Sequence, residues 1–595
     1  MTYKAPVDDI LFTLKTAVDL PGLIARGVYE GLDGDTVRAV LDEAGKFAAE
    51  VLAPLNRTGD ETASKLIDGK VATPPGWKEA YRAFAAGGWS ALPCPAEFGG
   101  QGLPEIVSMA VCEIWNSANL SFGLCPLLTQ GAIDALSLHG SPELKAKYLP
   151  KMISGEWTGT MNLTEPQAGS DLGALTTRAV KQAEGHYRVF GTKIFITYGD
   201  HDLTDNIIHM VLARLPDAPP GTKGISLFLV PKRLVNADGS LGEPNDVIVA
   251  GVEHKLGIHA SPTCVLKYGE KEGAIGYLVG EENRGLATMF IMMNAARLAV
   301  GVQGVAIAER ATQQAIGYAG ERRQGRSTRQ AGDGMVSIIE HPEIRRTLST
   351  MKAMTQAARA ICLATAREID LSHLAKTEEE RQLASARAAL LTPVAKAFST
   401  DIGCEVASMG VQIHGGMGFI EETGAAQFYR DARILPIYEG TNGIQAIDLV
   451  TRKLPLGRGK IVESYISELR ATAEEVRASN QPAFGRMGDR LAQAVVALNA
   501  ATRWLARALE TDLDAALAGA TPYLRLFGLT AGGVYLARGA LAAARDGSAR
   551  NGNGTQMALA TFFAENLAVT APGLGETVCH GAQSALALTP GQLSA

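Results

Sequence analysis

Ile207-Ile208-His209-Met210-Val211-Leu212 and Ile225-Ser226-Leu227-Phe228-Leu229-Val230 stand apart from the rest of the chain. Both are short, apolar and rich in β-branched side chains, and Pro219-Pro220-Gly221 punctuates the segment between them. With Tyr187-Arg188-Val189-Phe190 upstream, they read as strands of a β-domain over residues 158–280. Outward from there the apolar period lengthens to that of helices. Residues 38–157 read as a helical N-terminal domain, broken by loops at Pro74-Pro75-Gly76 and Phe98-Gly99-Gly100-Gln101-Gly102. Residues 281–455 read as a helical bundle, 456–595 as an additional helical C-terminal domain, and 1–37 as an N-terminal extension with helical periodicity around Ile10–Leu14. The expectation is an α+β multidomain protein.

A chain of 595 residues exceeds what one core supports. A formal net charge of -6 argues against a broad nucleic-acid footprint. The seven cysteines are scattered and lack metal-ligand spacing, which suits free thiols in a reducing compartment. His254, His259 and His414 are likewise spread over separate segments, so no metal is expected. The N-terminus has no continuous apolar run of the secretory kind, and no uncharged apolar run appears long enough to span a bilayer. A cytoplasmic protein with no membrane partner is the expectation. In 456–595 the acidic and basic residues are mixed, unlike the basic polar face of a lipid-binding helix.

Near the end of the bundle stands Tyr438-Glu439-Gly440-Thr441, directly after the apolar run Ile434-Leu435-Pro436-Ile437. Gly440 lets backbone pass close to a bulky ligand. A glutamate among apolar neighbours is partly desolvated, which raises its pKa and strengthens it as a base. Taken alone, an ordinary solvated turn reads the same way.

Four further segments, in order, remove that ambiguity. They are Met161-Asn162-Leu163-Thr164-Glu165-Pro166-Gln167-Ala168-Gly169-Ser170-Asp171, Gly191-Thr192-Lys193-Ile194-Phe195-Ile196-Thr197-Tyr198-Gly199, residues 253–263 (Glu-His-Lys-Leu-Gly-Ile-His-Ala-Ser-Pro-Thr) and Gln412-Ile413-His414-Gly415-Gly416. Together with Glu439-Gly440-Thr441 they resemble the acyl-CoA dehydrogenase family of flavoenzymes, over roughly residues 40–455. The resemblance implies removal of the α-proton and a β-hydride from an acyl-CoA to give a trans-2-enoyl-CoA, with FAD as cofactor and an electron-transfer flavoprotein as acceptor.

Residue by residue, the resemblance makes Glu439 the base, with its backbone N–H at the thioester oxygen and Gly440 allowing the acyl group close. A subset of the family carries its base just before an arginine. The match here is Arg297, and the residue before it is Ala296, which cannot be a base. Asn294 and Arg297 are implied substrate contacts, although Asn294 stands where the family usually has Asp; a plain helix-surface Asn is the alternative. Met161, Leu163, Thr164, Gly169 and Ser170 match the wall beside the flavin, with Ser170 also at the substrate. Phe195, Ile196 and Thr197 match the element whose aromatic shields the ring; core packing is the other reading of Phe195. Arg322 and Gln324 resemble a pyrophosphate-binding Arg-x-Gln, where Arg323 competes with Arg322 for the role. Gln412, Gly415 and Gly416 match adenine and pyrophosphate contacts, and Thr441 and Asn442 complete the implied cofactor set. In the family such contacts cross to a neighbouring subunit, so a homo-oligomer is implied, a dimer first.

An oxidase on the same scaffold would use the same base. A DNA-binding flavoprotein relative would show a basic C-terminal face, absent here. The layout over the whole chain looks most like the subgroup with 3-methylthiopropanoyl-CoA dehydrogenases of dimethylsulfoniopropionate breakdown. Medium- or long-chain fatty acyl-CoA is the alternative substrate.

Overall fold

The β-branched runs in the middle of the chain form an eight-stranded sheet in a computed structural model that describes residues 3–327, 334–545 and 553–594. The strands run in the order Val247–Val252, Thr263–Tyr268, Tyr187–Thr197, Ala274–Leu278, Ile225–Pro231, Asn206–Arg214, Trp157–Asn162, with Arg178–Lys181 laid on Tyr187–Thr197. Pairing is antiparallel along this path except between Trp157–Asn162 and Asn206–Arg214, whose register sets Met161 beside Met210. Every residue of Ile225–Pro231 is buried, as befits a central strand covered on both faces. One core packs Leu227, Leu229, Met210 and Ile208 against Ile133, Leu136 and Met152 from the helices before the sheet. The other gathers Val189, Ile196, Phe228 and Val230.

The chain packs as two compact units that draw across the consecutive stretches of sequence: residues 46–104 with 118–296, and residues 1–45 with 105–117 and 297–595. The first holds the sheet. It also holds a hairpin that helical periodicity hides, Lys65–Ile67 with Lys70–Ala72. Its signal was the dipeptide Asp68-Gly69, both at positive φ, the turn that a two-residue hairpin favours.

The second unit is helical. Pro342–Leu374 and Glu378–His414 pack side by side. Between them and the helix Gly285–Glu321, Arg359 is wholly buried, 2.6 Å from Glu113 and 2.9 Å from Glu309. The C-terminal helix Ala520–Arg545 lies on this bundle. A Cβ at Gly528 would stand 2.2 Å from the Phe398 ring, and one at Gly532 would stand 2.9 Å from the Ala357 methyl. The N-terminal helix Val7–Thr16 closes the same face, with Tyr3 donating to the Ile114 carbonyl at 2.9 Å.

The expectation that no segment could span a bilayer is corrected. Among the described residues three helices suffice by length and composition: Gly285–Glu321, Ala520–Arg545 and Gly554–His580. A search for uncharged runs overlooks them because isolated charged side chains interrupt each apolar stretch. In the first two, 72% and 83% of the apolar window is buried within the protein; in the third, 33%.

Candidate active site

Two successive residues at positive φ, Glu439 (+57°) and Gly440 (+86°), follow a tight chain reversal over Ile434–Ile437. A glutamate in this region is strained and persists only where its surroundings over-determine it. Several contacts do so. The Asn442 N–H donates to the Pro436 carbonyl at 3.0 Å, and Thr441 caps the helix Asn442–Asp448 by accepting from the Ile444 N–H. The space a Gly440 Cβ would need is filled by the Gln445 amide, 2.6 Å away. At φ +86° a side chain here would be strained whatever the space, so the backbone itself favours glycine.

Burial pushes the Glu439 carboxyl up to about 7, even though the cations Arg297 and Lys396 both favour its ionised form. Both cations are buried, Arg297 on the helix Gly285–Glu321 and Lys396 on Glu378–His414. Ala296, before Arg297, is buried and inert, and Asn294 is exposed on the same helix. Of the residues expected here, the structure groups Glu439, Gly440, Asn442 and Arg297. Lys396 is the member that the sequence reading missed; its signal was a lysine within the apolar run Leu390–Phe398 of a helix.

The resemblance gave Asn442 to the cofactor, and the structure uses it otherwise. Its Nδ2 lies 3.1, 3.0 and 2.7 Å from Ala397 O, Thr400 Oγ1 and Asp401 Oδ1, which share its two N–H groups, and its Oδ1 accepts from Lys396 at 2.9 Å. No part of the amide is left to reach outward.

Elsewhere in the same unit, Gln412, Gly415 and Gly416 are exposed where Glu378–His414 ends, and nothing lies within 4 Å of a Cβ built on either glycine. His414 stacks on Tyr318 at 4.4 Å, bringing this corner beside the end of Gly285–Glu321 that carries Arg322. Arg322 and Gln324 are exposed. Arg323, also exposed, donates one N–H to the Met335 carbonyl.

In the sheet-bearing unit, the Thr164 carbonyl accepts from the Ile194 N–H at 3.0 Å, joining the 161–170 segment to the strand ending at Thr197. Met161 and Thr164 are half-buried, Leu163 is buried, and Gly169 and Ser170 are exposed. Beneath them a buried ion pair, Lys193 Nζ to Glu165 Oε1 at 2.8 Å, braces the turn, and Lys193 also donates to the Leu163 carbonyl. Phe195 has φ +59° and is 59% exposed, so it is not a core side chain. Its neighbour Ile196 faces the other way into the core, so its side chain is removed from the expected cofactor contacts; strand alternation puts successive side chains on opposite faces. Thr197 is half-buried at the strand end.

These arrangements fit a flavin. An aromatic held outward in a strained conformation, two uncovered glycines and an exposed arginine each leave ligand-facing surface on their own unit.

The patterns described as the acyl-CoA dehydrogenase N-terminal, middle and C-terminal domains match residues 34–156, 160–269 and 283–454. An "Acetyl-CoA dehydrogenase C-terminal like" pattern matches residues 465–589. The chain is 49% identical to a 3-methylmercaptopropionyl-CoA dehydrogenase of Ruegeria pomeroyi over 96% of both chains. It is 37% identical to a butyryl-CoA dehydrogenase of Syntrophomonas wolfei over 78% of both. Among solved structures, ACDH-11 of Caenorhabditis elegans in complex with C11-CoA shares the fold, with a TM-score of 0.75 at 21% identity over 95% of this chain and 91% of that one. With the base turn, the sheet and the added C-terminal helices all accounted for, this chain belongs to the acyl-CoA dehydrogenase family.

Proposed function

We propose that this acyl-CoA dehydrogenase acts on short acyl-CoA thioesters, with 3-methylthiopropanoyl-CoA preferred, as an FAD-dependent homodimer that passes electrons to an electron-transfer flavoprotein. The observation that carries the chemistry is Glu439, a half-buried carboxyl poised near neutrality on a strained turn between two cations. A thioester α-proton is too weakly acidic to leave unaided, and a base with a pKa near the working pH is the efficient remover. Arg297 and Lys396 keep enough positive potential at the turn to let Glu439 ionise. FAD, when bound, supplies the acceptor for the β-hydride. Phe195, Thr197 and the 161–170 segment are suited to its ring, and Arg322, Gln412, Gly415 and Gly416 to the pyrophosphate and adenine of a flavin on a neighbouring copy of the chain, as the resemblance implies.

The substrate rests on the Ruegeria pomeroyi relative, which matches this chain end to end. The relative from Syntrophomonas wolfei supports a short acyl chain as well. The test is kcat/KM for butanoyl-, octanoyl-, palmitoyl- and 3-methylthiopropanoyl-CoA. Each methylene that fits a pocket contributes about 0.8 kcal/mol, so a steady rise to palmitoyl-CoA would make this a long-chain enzyme. Substrate-reduced enzyme that reoxidises in air within seconds would point to an oxidase. A cytoplasmic location belongs to the same proposal, supported by seven cysteines that are all unpaired.

A further inference from the structure

Lys396 has no exposed surface, and burying an ammonium is costly unless it is fully paired. Its Nζ donates to the Gly440 carbonyl at 3.0 Å and to Asn442 Oδ1 at 2.9 Å. Asn442 is locked in turn by Ala397, Thr400 and Asp401 on the next turn of the same helix. One short stretch, residues 396–401, therefore grips the Gly440 carbonyl and the Asn442 side chain, just after Glu439. That is where the chain holds two successive residues at positive φ. Through its charge Lys396 also favours the ionised Glu439.

The geometry points to Lys396 as a positioning residue for the base: while protonated, it clamps the Gly440 carbonyl and the Asn442 amide and so holds Glu439 in its left-handed presentation. This rests on the reading of Glu439 as the base. Nothing in the clamp touches the reacting atoms. Lys396 acts through the turn and through its charge.

The groups facing it are few. Glu439 and Asp401 favour its protonated form, Arg297 opposes it, and the Cys404 thiol stands nearby. Asp401 itself faces Arg525 and Glu405. Glu439 faces Arg297, Lys396 and the Tyr438 phenol, and Arg297 in turn faces Asp448 and Arg452. Burial brings Lys396 down to about 7, alongside Glu439. Each stabilises the other's charged form, so the two titrate as a coupled pair and the steps belong to the pair. The competent state, Glu439 ionised and Lys396 protonated, is bounded on both sides in pH.

The experiment is kcat/KM against pH, with the flavin-loaded enzyme and butanoyl-CoA, for wild type, Lys396→Met and Glu439→Gln. Wild type is expected to give a bell, falling above neutrality as the clamp loses its proton. Lys396→Met, close in volume but uncharged, is expected to lose at least about tenfold in kcat, with KM little changed. Its acid limb should move up by about one pH unit, because the carboxylate has lost a stabilising cation. A purely structural lysine would lower the amount of folded enzyme and leave the limb in place. An unmoved acid limb and unchanged kcat in Lys396→Met, with Glu439→Gln inactive throughout, overturns the role of Lys396 alone. Activity in Glu439→Gln overturns the base reading instead. If Lys396→Met does not fold, the wild-type profile still decides, since a rate that stays flat well into alkaline pH overturns the clamp.

Discussion

Lys193 Nζ lies 2.8 Å from Glu165 Oε1, both side chains almost without exposure, and the same ammonium donates to the Leu163 carbonyl at 2.9 Å. This pair fastens the segment 161–170 to the strand that carries Phe195. Burial alone would raise the Glu165 carboxyl, but the Lys193 charge and hydrogen bonds from Lys193, Thr177 and Thr176 hold it down at about 2.

Lys193→Met is expected to leave Glu165 charged, buried and unpaired, at a cost of about 3–5 kcal/mol. Urea denaturation checks this, and flavin content should fall with stability. Glu165 has its pKa lowered by folding, so its contribution is present above the unfolded carboxylate range. That contribution disappears as the pH falls toward about 2. Wild-type melting temperature should fall over that acid window more steeply than in Glu165→Gln.

Glu439→Gln is expected to bind acyl-CoA and to lose about 10²–10⁴-fold in dehydrogenation, read as bleaching of the bound flavin by substrate. Its pH linkage has the opposite sign to that of Glu165. Folding raises the Glu439 pKa to about 7, so its stabilising contribution is full below the unfolded value and is lost as the pH rises through about 7. Removing the titration should therefore make Glu439→Gln the more thermostable protein at mildly alkaline pH. The wild-type enzyme gains its base over the same pH range in which it gives up stability.

Arg359→Met is expected to be among the most destabilising single changes, at about 3–5 kcal/mol, because it abandons the Glu113 and Glu309 carboxylates inside the bundle. The Glu113→Gln/Arg359→Met double variant should recover part of the loss. Chemical denaturation of the three proteins reads the coupling directly.

Arg322→Ala is expected to lose FAD and to weaken the oligomer together, since a guanidinium fork suits a pyrophosphate and the residue is exposed. Full flavin occupancy with an unchanged sedimentation coefficient would remove the role. Arg323→Ala is the companion variant: flavin loss there with full occupancy in Arg322→Ala would move the role to Arg323.

Sequence alone determined what depends on local order. The β-branched runs indicated the strands and the long apolar periods the helices, and the ordered motifs around Glu439-Gly440 indicated the chemistry through the family they resemble. Pairing and burial could not be read that way, because they join residues far apart in the chain. Lys396 looks like any lysine in a helix until the helix lies against Gly440, and Asn442 looks like a ligand contact until its amide is seen to be fully engaged. Ile196 and Phe195 are neighbours of similar character in sequence. Strand pleating, together with the left-handed turn at Phe195, sends one into the core and leaves the other open. The apolar helix Ala520–Arg545 could suit a bilayer by composition, and only its packing on Phe398 and Ala357 shows what its surface is for. Close packing between distant segments settles each of these, since a buried charge or an apolar face takes its meaning from what lies against it.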